Sequence, residues 1–494
     1  MTPATVLSAQ HHGFAAPVTD GPHLKAVAAG PHARVPLGSL LMRRGAVTSA
    51  DLRNALGIQT RQQARLGDIL RAHGLADEDA VIGALAEQYE TSVIGPADGP
   101  PDPRLIDQIG PSRCLQIGCL PWRRAGACTL VACSAPDRFA DHLPALEAAL
   151  GPVAMAVITE TGLHRALIGS RRSTLRLQAE TCVRASESCR TWNARRFRLL
   201  MGAAVVSILA ATLTAPQTTF LALFGLVVLA LLLGTAMKIA AAAMQLRSLS
   251  RPPPQESLTS AVPFPARKPA ISIMVPLFHE PDIAPRLVKR LGALTYPREL
   301  LDVMLVVEED DHLTRNALSR SALPHWMRVI PVPDSDLRTK PRALNYAMNF
   351  ARGTIIGVYD AEDAPAADQL HRVADRFAHS GPDLACIQGV LDYINPRTNW
   401  LSRCFTIEYA AWFRLMLPGL EKLGLVVPLG GTTLFFRRDI LDGLGGWDAH
   451  NVTEDADLGL RLARHGFGPS CCTPSRWRRP IAACGPGSSS GPAG

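Results

Sequence analysis

Thr354-Ile355-Ile356-Gly357-Val358-Tyr359-Asp360-Ala361-Glu362-Asp363-Ala364-Pro365 is the stretch that decides how this chain is read. A short β-branched run after Gly353 predicts a buried strand, which puts three carboxylates just past its carboxyl end. In open α/β sheets that is where ligands bind. Hard oxygen donors suit Mg²⁺ or Mn²⁺, ions that neutralise a diphosphate. Read alone, the cluster is an acidic turn in solvent. Its company along the chain argues for more.

From Ala270 onward, apolar runs at 271–275, 302–307, 328–332, 354–359 and 384–387 alternate with helical stretches such as Pro341–Ala351 and Ala367–His379. This alternation predicts an α/β architecture. Polar motifs follow the runs in a fixed order. Pro276-Leu277-Phe278-His279-Glu280 ends the first strand, and Glu308-Glu309-Asp310-Asp311 with Thr314 ends the second. Lys340-Pro341-Arg342-Ala343-Leu344-Asn345 opens a helix, and the acidic cluster ends the next strand. Gln388-Gly389, Gly430-Gly431-Thr432 and Val452-Thr453-Glu454-Asp455-Ala456-Asp457 come after. Thr453 reads as an N-cap, placing Asp455 in the first turn of a helix running to about His465. A helix N-terminus favours the ionised carboxylate.

This series resembles the processive, membrane-bound branch of glycosyltransferase family 2, which contains the cellulose and hyaluronan synthases. The resemblance covers 262–467 and implies a Rossmann-like GT-A fold. It implies that Glu280 and Glu309 line a uridine pocket, with Glu308 the rival to Glu309, and that Lys340 faces the diphosphate. Asp360, with Glu362 or Asp363, would correspond to the metal-binding D-x-D. Gly430, Gly431 and Thr432, with Gln388, would form the acceptor side. Asp455, beside Glu454, would be the general base. The implied reaction is inverting transfer from a UDP-sugar to a growing polysaccharide. A membrane-anchored scaffold with a decayed transferase domain is the non-enzymatic alternative.

The first part of the chain carries an internal repeat. Leu37-Gly38-Ser39-Leu40-Leu41, Gly45, Leu52, Leu56 and Gln59 recur 29 residues later as Leu66-Gly67-Asp68-Ile69-Leu70, Gly74, Val81, Leu85 and Gln88. Each unit reads as a helix, a glycine stop and a second amphipathic helix. The pattern resembles the N-terminal (MshEN-like) domain of type II secretion and pilus ATPases, here over residues 35–170. That resemblance implies cyclic di-GMP binding by Arg65, Leu66, Gly67 and Gln88. The expectation is that this domain reports to the transferase through the membrane segment.

Leu199–Ala215 and Phe220–Met237 are uncharged apolar runs of 17 and 18 residues, the length of membrane-spanning helices. Arg195, Arg196 and Arg198 precede them, and Lys238, Arg247 and Arg251 follow. The positive-inside rule then puts both flanks in the cytoplasm; with the two resemblances this implies a bacterial inner membrane, in contact with the lipid bilayer. Residues 171–198 read as a basic linker into this hairpin (199–243) and 244–261 as a second linker. Residues 1–34 read as disordered.

A formal net charge of +8 does not point to nucleic acid, because no basic stripe interleaves with aromatics. The 11 cysteines lack zinc-site spacing. After Phe467 the composition turns to Gly, Pro, Ser, Cys and Arg without periodicity. The family resemblance implies a Q-x-x-R-W motif further on. Reading back-translated codons for 488–494 in another frame recovers one. The expectation is a frame change near Phe467, a disordered tail from Gly468 and a truncated, inactive transferase.

Overall fold

The computed structural model describes residues 34–250, 267–281, 283–393, 396–471 and 482–484. The repeat forms two helix pairs, α1 (Leu37–Arg43) with α2 (Ser49–Gln62) and α3 (Leu66–Ala72) with α4 (Glu78–Gln88). Gly45 and Gly74 stop the first helix of each pair at φ of 69° and 67°, a conformation that costs other residues a Cβ clash. The pairs lock reciprocally: Gln59 Nε2 donates to the Ala64 carbonyl at 3.3 Å, and Gln88 Nε2 donates to the Val35 carbonyl at 2.9 Å. Each glutamine thus ties its unit to the residue two positions before the other unit's first helix.

A three-stranded sheet follows. The hairpin strands β1 (Cys119–Ala125) and β2 (Cys128–Cys133) are antiparallel, and β3 (Val153–Val157) lies parallel to β2. Helix α5 (Glu160–Thr181) leaves this sheet, capped by the Thr159 side chain and broken in its helical geometry at Arg171.

Two long helices come next, α6 (Ala194–Thr214) and α7 (Pro216–Ser250). Both are apolar and long enough to cross a membrane, and their most apolar windows are covered by no protein. The break between them is Ala215 alone, since Pro216 starts α7 at a position where its missing N–H is harmless. The expected 216–219 connection is therefore helical, and the expected linker from 244 begins as helix up to Ser250. Helix α7 continues because its last turns have a partner. Gly419, in α10 (Leu417–Lys422), lets the two backbones touch: a Cβ there would lie 2.1 Å from the Ala241 carbonyl oxygen. Gln245 is buried in the same contact and donates to the Arg414 carbonyl.

The remainder forms a seven-stranded mixed sheet. Its strands in chain order are β4 (Ile271–Leu277), β5 (Leu301–Glu308), β6 (Met327–Val332), β7 (Ile355–Val358), β8 (Leu384–Gln388), β10 (Leu434–Arg437) and β11 (Gly468–Cys471), ordered β11-β8-β10-β7-β4-β5-β6 across the sheet. Only β10 runs antiparallel to its neighbours. Ile273 and Val275 of β4 join one hydrophobic cluster, and Met274 joins the other. That alternation fits a sheet covered on both faces. From β4 the chain moves outward through β5 and β6, then returns to place β7 on the other side of β4. The β4–β7 boundary is thus the topological switch point, where a crevice opens at the strand ends.

Two expectations about boundaries change. Residues 171–198 are not a free linker. Arg171 pairs with Asp107, Arg172 with Glu309, and Asp448 accepts from Ser188 Oγ at 2.8 Å and the Cys189 N–H at 2.6 Å. Two of its arginines, Arg171 and Arg172, are answered by distant acids. Disorder also does not begin at Gly468, because Gly468–Cys471 pairs with the β8 edge and Ala482–Cys484 pairs with β9 (Leu391–Tyr393). An open strand edge is a row of unmet hydrogen-bonding groups that any extended backbone satisfies. The rest of the predicted tail, like residues 1–33, lies outside the described residues.

Candidate active site

A cavity of about 370 Å³ opens at the switch point. Its walls come from the ends of β4 (Pro276, Leu277, Phe278, Glu280) and β5 (Val306, Glu308) and from the segment after β7 (Asp360, Ala361, Glu362). Arg338, Thr339, Lys340 and Ala343 close it, the last two from α8 (Lys340–Met348). Pro341 pre-sets the first turn of α8, so Lys340 is presented at the helix start.

The loop after β4 is held by its neighbour. Asp311 accepts from the His279 N–H at 2.7 Å and from Thr314 Oγ1 at 2.7 Å, and Thr314 Oγ1 accepts from the Glu280 N–H at 2.8 Å. His279 takes a positive φ of 54° to make this turn. Adjacent residues at a strand end face opposite ways, and this separates Glu308 from Glu309. Glu308 is buried and faces the cavity, where Arg342 Nη2 donates to it at 2.6 Å. Burial holds its pKa above the ordinary carboxylate value despite Arg342. Glu309 turns out to Arg172 and does not line the cavity. The expected placing of Glu309 in the pocket is corrected in favour of Glu308.

The acidic cluster divides in the same manner. Asp360 and Glu362 line the cavity, whereas Asp363 is 1% exposed and turns inward. Its carboxylate accepts from the Asp360 N–H at 3.0 Å and from the Thr432 hydroxyl, which itself accepts from the Asp360 N–H at 2.9 Å. Burial pushes the Asp363 carboxyl up to about 6. Asp363 is a brace between the acidic turn and the glycine loop, not a cavity ligand. The sequence left Glu362 and Asp363 equal; the fold puts Asp360 and Glu362 together.

Lys340 Nζ donates to Asp360 Oδ1 and to the Gly431 carbonyl, each at 2.8 Å. Burial lowers its pKa, but Asp360, Asp455 and Glu454 outweigh that and leave it raised. The Gly430–Thr432 loop is stapled by Gln388, whose Oε1 accepts from the Gly430 N–H at 2.7 Å and whose Nε2 donates to the Gly389 and Thr432 carbonyls. Gln388 is 1% exposed, so it positions the loop and offers no free polar group to an acceptor.

Asp455 sits at the start of α11 (Glu454–Arg464), facing Gly431; a Cβ on Gly431 would lie 3.6 Å from its Oδ2. The side chain of Thr453 does not cap this helix, and its hydroxyl donates to Asn451 Oδ1 instead. Burial pushes the Asp455 carboxyl up to about 7, Lys340 opposing and Glu454 and Asp360 adding to the rise. The expectation that the helix start keeps it fully ionised is therefore overturned by burial and neighbouring acids. A base poised near 7 is well matched to proton transfer at neutral pH.

Among the described residues no cluster of three or more His, Cys, Asp or Glu forms a metal cage. Two carboxylates beside a cation-lined cavity suit a Mg²⁺-type ion completed by phosphate oxygens. Arg338 was missed in the sequence. It lines the cavity and pairs with Asp310 at 2.7 Å and Asp334 at 2.9 Å. Its signal was the Arg338-Thr339-Lys340 spacing of two cations ahead of a helix.

Residues 269–477 match the family model described as "Glycosyltransferase like family 2". These residues carry a family 2 glycosyltransferase domain. The match runs to residue 477, ten residues beyond the expected limit of 467. The chain is 29% identical over 221 residues to a β-monoglucosyldiacylglycerol synthase of Synechocystis, covering 43% of each chain. Among solved structures it is similar to the mannosyltransferase PcManGT from Pyrobaculum calidifontis in complex with GDP-Man and Mn²⁺, at 20% identity over 51% of this chain and 65% of that one, TM-score 0.39. It is also similar to MshE with cdg, at 26% identity over 28% of this chain and 99% of that one, TM-score 0.26. The chain spans at most about half the length of the curated relatives it matches first.

The residues expected to bind the dinucleotide have partners of their own. Arg65 Nε pairs with Asp137 at 3.1 Å, Gln88 is engaged with Val35, and Gly67 packs near Val81. Gln59, bonded at Ala64, is the glutamine next to Arg65.

Proposed function

We propose that this chain is a membrane-anchored inverting hexosyltransferase that uses a UDP-sugar and elongates a polysaccharide. The observation that supports the reading is the line Asp360–Lys340–Gly431–Asp455, in which Lys340 bonds both Asp360 and the Gly431 carbonyl and Asp455 faces Gly431 across one small-residue loop. Glu280 and Glu308 accept hydrogen bonds from the base, and Lys340 and Arg338 meet the diphosphate. Asp360 and Glu362 would hold Mg²⁺ or Mn²⁺, which supplies charge neutralisation to the departing nucleotide. Asp455 takes the proton of the attacking acceptor hydroxyl while Gly430 and Gly431 let that sugar lie against the backbone. Helices α6 and α7 anchor the domain at the cytoplasmic face of the inner membrane.

The test is transfer by the full chain in membranes from a panel of labelled UDP-sugars, with Asp455→Asn as control. Product in the ethanol-insoluble fraction supports a polymer acceptor. Product only in the organic phase supports a diacylglycerol acceptor, the second reading that the glucosyldiacylglycerol synthase likeness favours.

We further propose that the helical repeat binds cyclic di-GMP through Arg65, Leu66 and Gly67, with Gln88 the residue least available for it. Titration of the full chain with the dinucleotide, compared with Arg65→Ala, tests this; no binding leaves the repeat a docking module.

A further inference from the structure

The sequence expectation ran any influence of the N-terminal domain through the membrane hairpin. The fold offers a direct contact. Helix α5 belongs to the N-terminal domain, yet its face from Arg172 to Glu180 lies along the donor cavity's outer wall. Arg172 pairs with Glu309, the residue next to the cavity-lining Glu308. Arg176 Nη1 donates to the Asp334 carbonyl at 3.3 Å, and Ser335 Oγ donates to Glu180 Oε1 at 2.6 Å. Arg342, 1% exposed, stands between Glu180 at 3.8 Å and Glu308 at 2.6 Å. Asn345 Nδ2 donates to the Ala179 carbonyl at 3.0 Å. One helical face therefore grips the end of β5, the segment 334–339 that carries Arg338, and α8, which carries Lys340.

The other half of α5 is gripped by the repeat. The Glu160 N–H donates to Glu78 Oε1 at 2.7 Å, and Arg71 reaches both Glu78 at 3.1 Å and Glu160 at 3.4 Å. Between the halves the helix breaks at Arg171, which Asp107 holds. Leu163, Leu167 and Leu175 share one buried cluster with Leu344 and Tyr346 of α8, so the helix is packed on the transferase and not merely ion-paired to it.

We infer that α5 is a structural wall of the donor site, with Arg172 and Glu180 as positioning residues: Arg172 holds Glu309 turned out of the cavity and so fixes the end of β5, and Glu180, through Arg342, sets Glu308 against the nucleotide base. The inference rests on the donor reading of the cavity proposed above. A buried guanidinium that loses one of its two carboxylates is left with uncompensated charge, although Arg342 Nη1 keeps its bond to the Pro333 carbonyl at 2.9 Å. Loss of Glu180 lets Arg342 swing toward Glu308 and draws that carboxylate from the cavity. Loss of the exposed Arg172 frees Glu309 without opening the core.

The test uses the full chain in detergent, with Kd for UDP, GDP and CDP by calorimetry and amide exchange over 306–340. Arg172→Ala and Glu180→Gln are expected to weaken UDP binding at least fivefold, to narrow the preference for UDP over GDP and CDP, and to speed exchange at 334–339. With turnover, donor KM rises while kcat stays within twofold. Arg172→Lys restores binding. A purely structural role would leave base preference unmoved. Wild-type chain that binds UDP, with both variants within twofold of it, overturns this inference alone. Wild-type chain that binds no nucleoside diphosphate overturns the donor reading and this inference with it.

Discussion

Replacing Asp455 by Asn is expected to stabilise the protein and to silence it, with both effects tied to pH. In the folded chain the Asp455 carboxyl titrates near about 7, against an ordinary 3.8. The folded state thus holds this proton more tightly than the unfolded state. Stability from this group is full below about pH 4, falls as pH rises toward 7, and levels off above it. At about 1.36 kcal/mol for each tenfold in proton affinity, the cost of ionising it in the fold has a ceiling of about 4 kcal/mol. Asn removes that net cost, in which the attraction of Lys340 is already counted. A gain of up to about 4 kcal/mol is therefore expected at pH 8, at roughly 2–4 °C in Tm per kcal/mol for a domain of this size. Differential scanning fluorimetry of wild type and Asp455→Asn from pH 4.5 to 8.5 reads it directly. The Tm difference should be smallest at the acid end, grow from there to about pH 7 and level off above it, while transfer falls by about 10²–10⁴. A difference that is flat with pH, or a variant less stable at pH 8, would refute the burial of this charge at the site.

Three further substitutions separate roles within the acidic turn and the glycine loop. Asp360→Ala should abolish the Mn²⁺ dependence of UDP binding measured by calorimetry. Metal-independent binding by wild type would contradict the assignment. Glu362→Ala should weaken metal-dependent binding with little change in Tm, whereas Asp363→Ala should lower Tm by several degrees, since it strips a buried brace from Thr432 and the Asp360 N–H. Gly431→Val should leave UDP affinity within threefold and reduce transfer at least tenfold, because its side chain would enter the space before Asp455; equal losses of both would show that the loop has collapsed.

How much was legible in the sequence follows from the range of the forces involved. The strand ends and the α8 start were readable because periodicity and turn residues are local. Five of the seven strands of the transferase sheet fall within a few residues of the runs read beforehand, as with 271–275 against Ile271–Leu277, whereas β10 and β11 had no such run. The choice between Glu308 and Glu309 was not readable, since one residue of register decides which side of a strand end faces the crevice. Asp363 looked like a ligand because its partner, Thr432, lies far along the chain. The stretch 171–198 looked like a solvated basic linker for the same reason: Arg172 answers Glu309 and Glu180 answers Ser335 across long separations. Charges that appear unpaired in a sequence are paired by the fold. Helix α7 ran past its apolar segment because Gly419 offered its last turns a backbone to pack on, a contact between residues far apart.

Turnover by the purified full chain is the most direct test of the transferase account. With Mn²⁺ and an α-linked UDP-sugar donor, the account predicts UDP release matched by a β-linked product whose anomeric proton is resolved by NMR, and loss of both in Asp455→Asn. UDP-sugar binding without transfer to any acceptor across the donor panel, or a product with retained α-configuration, would contradict it.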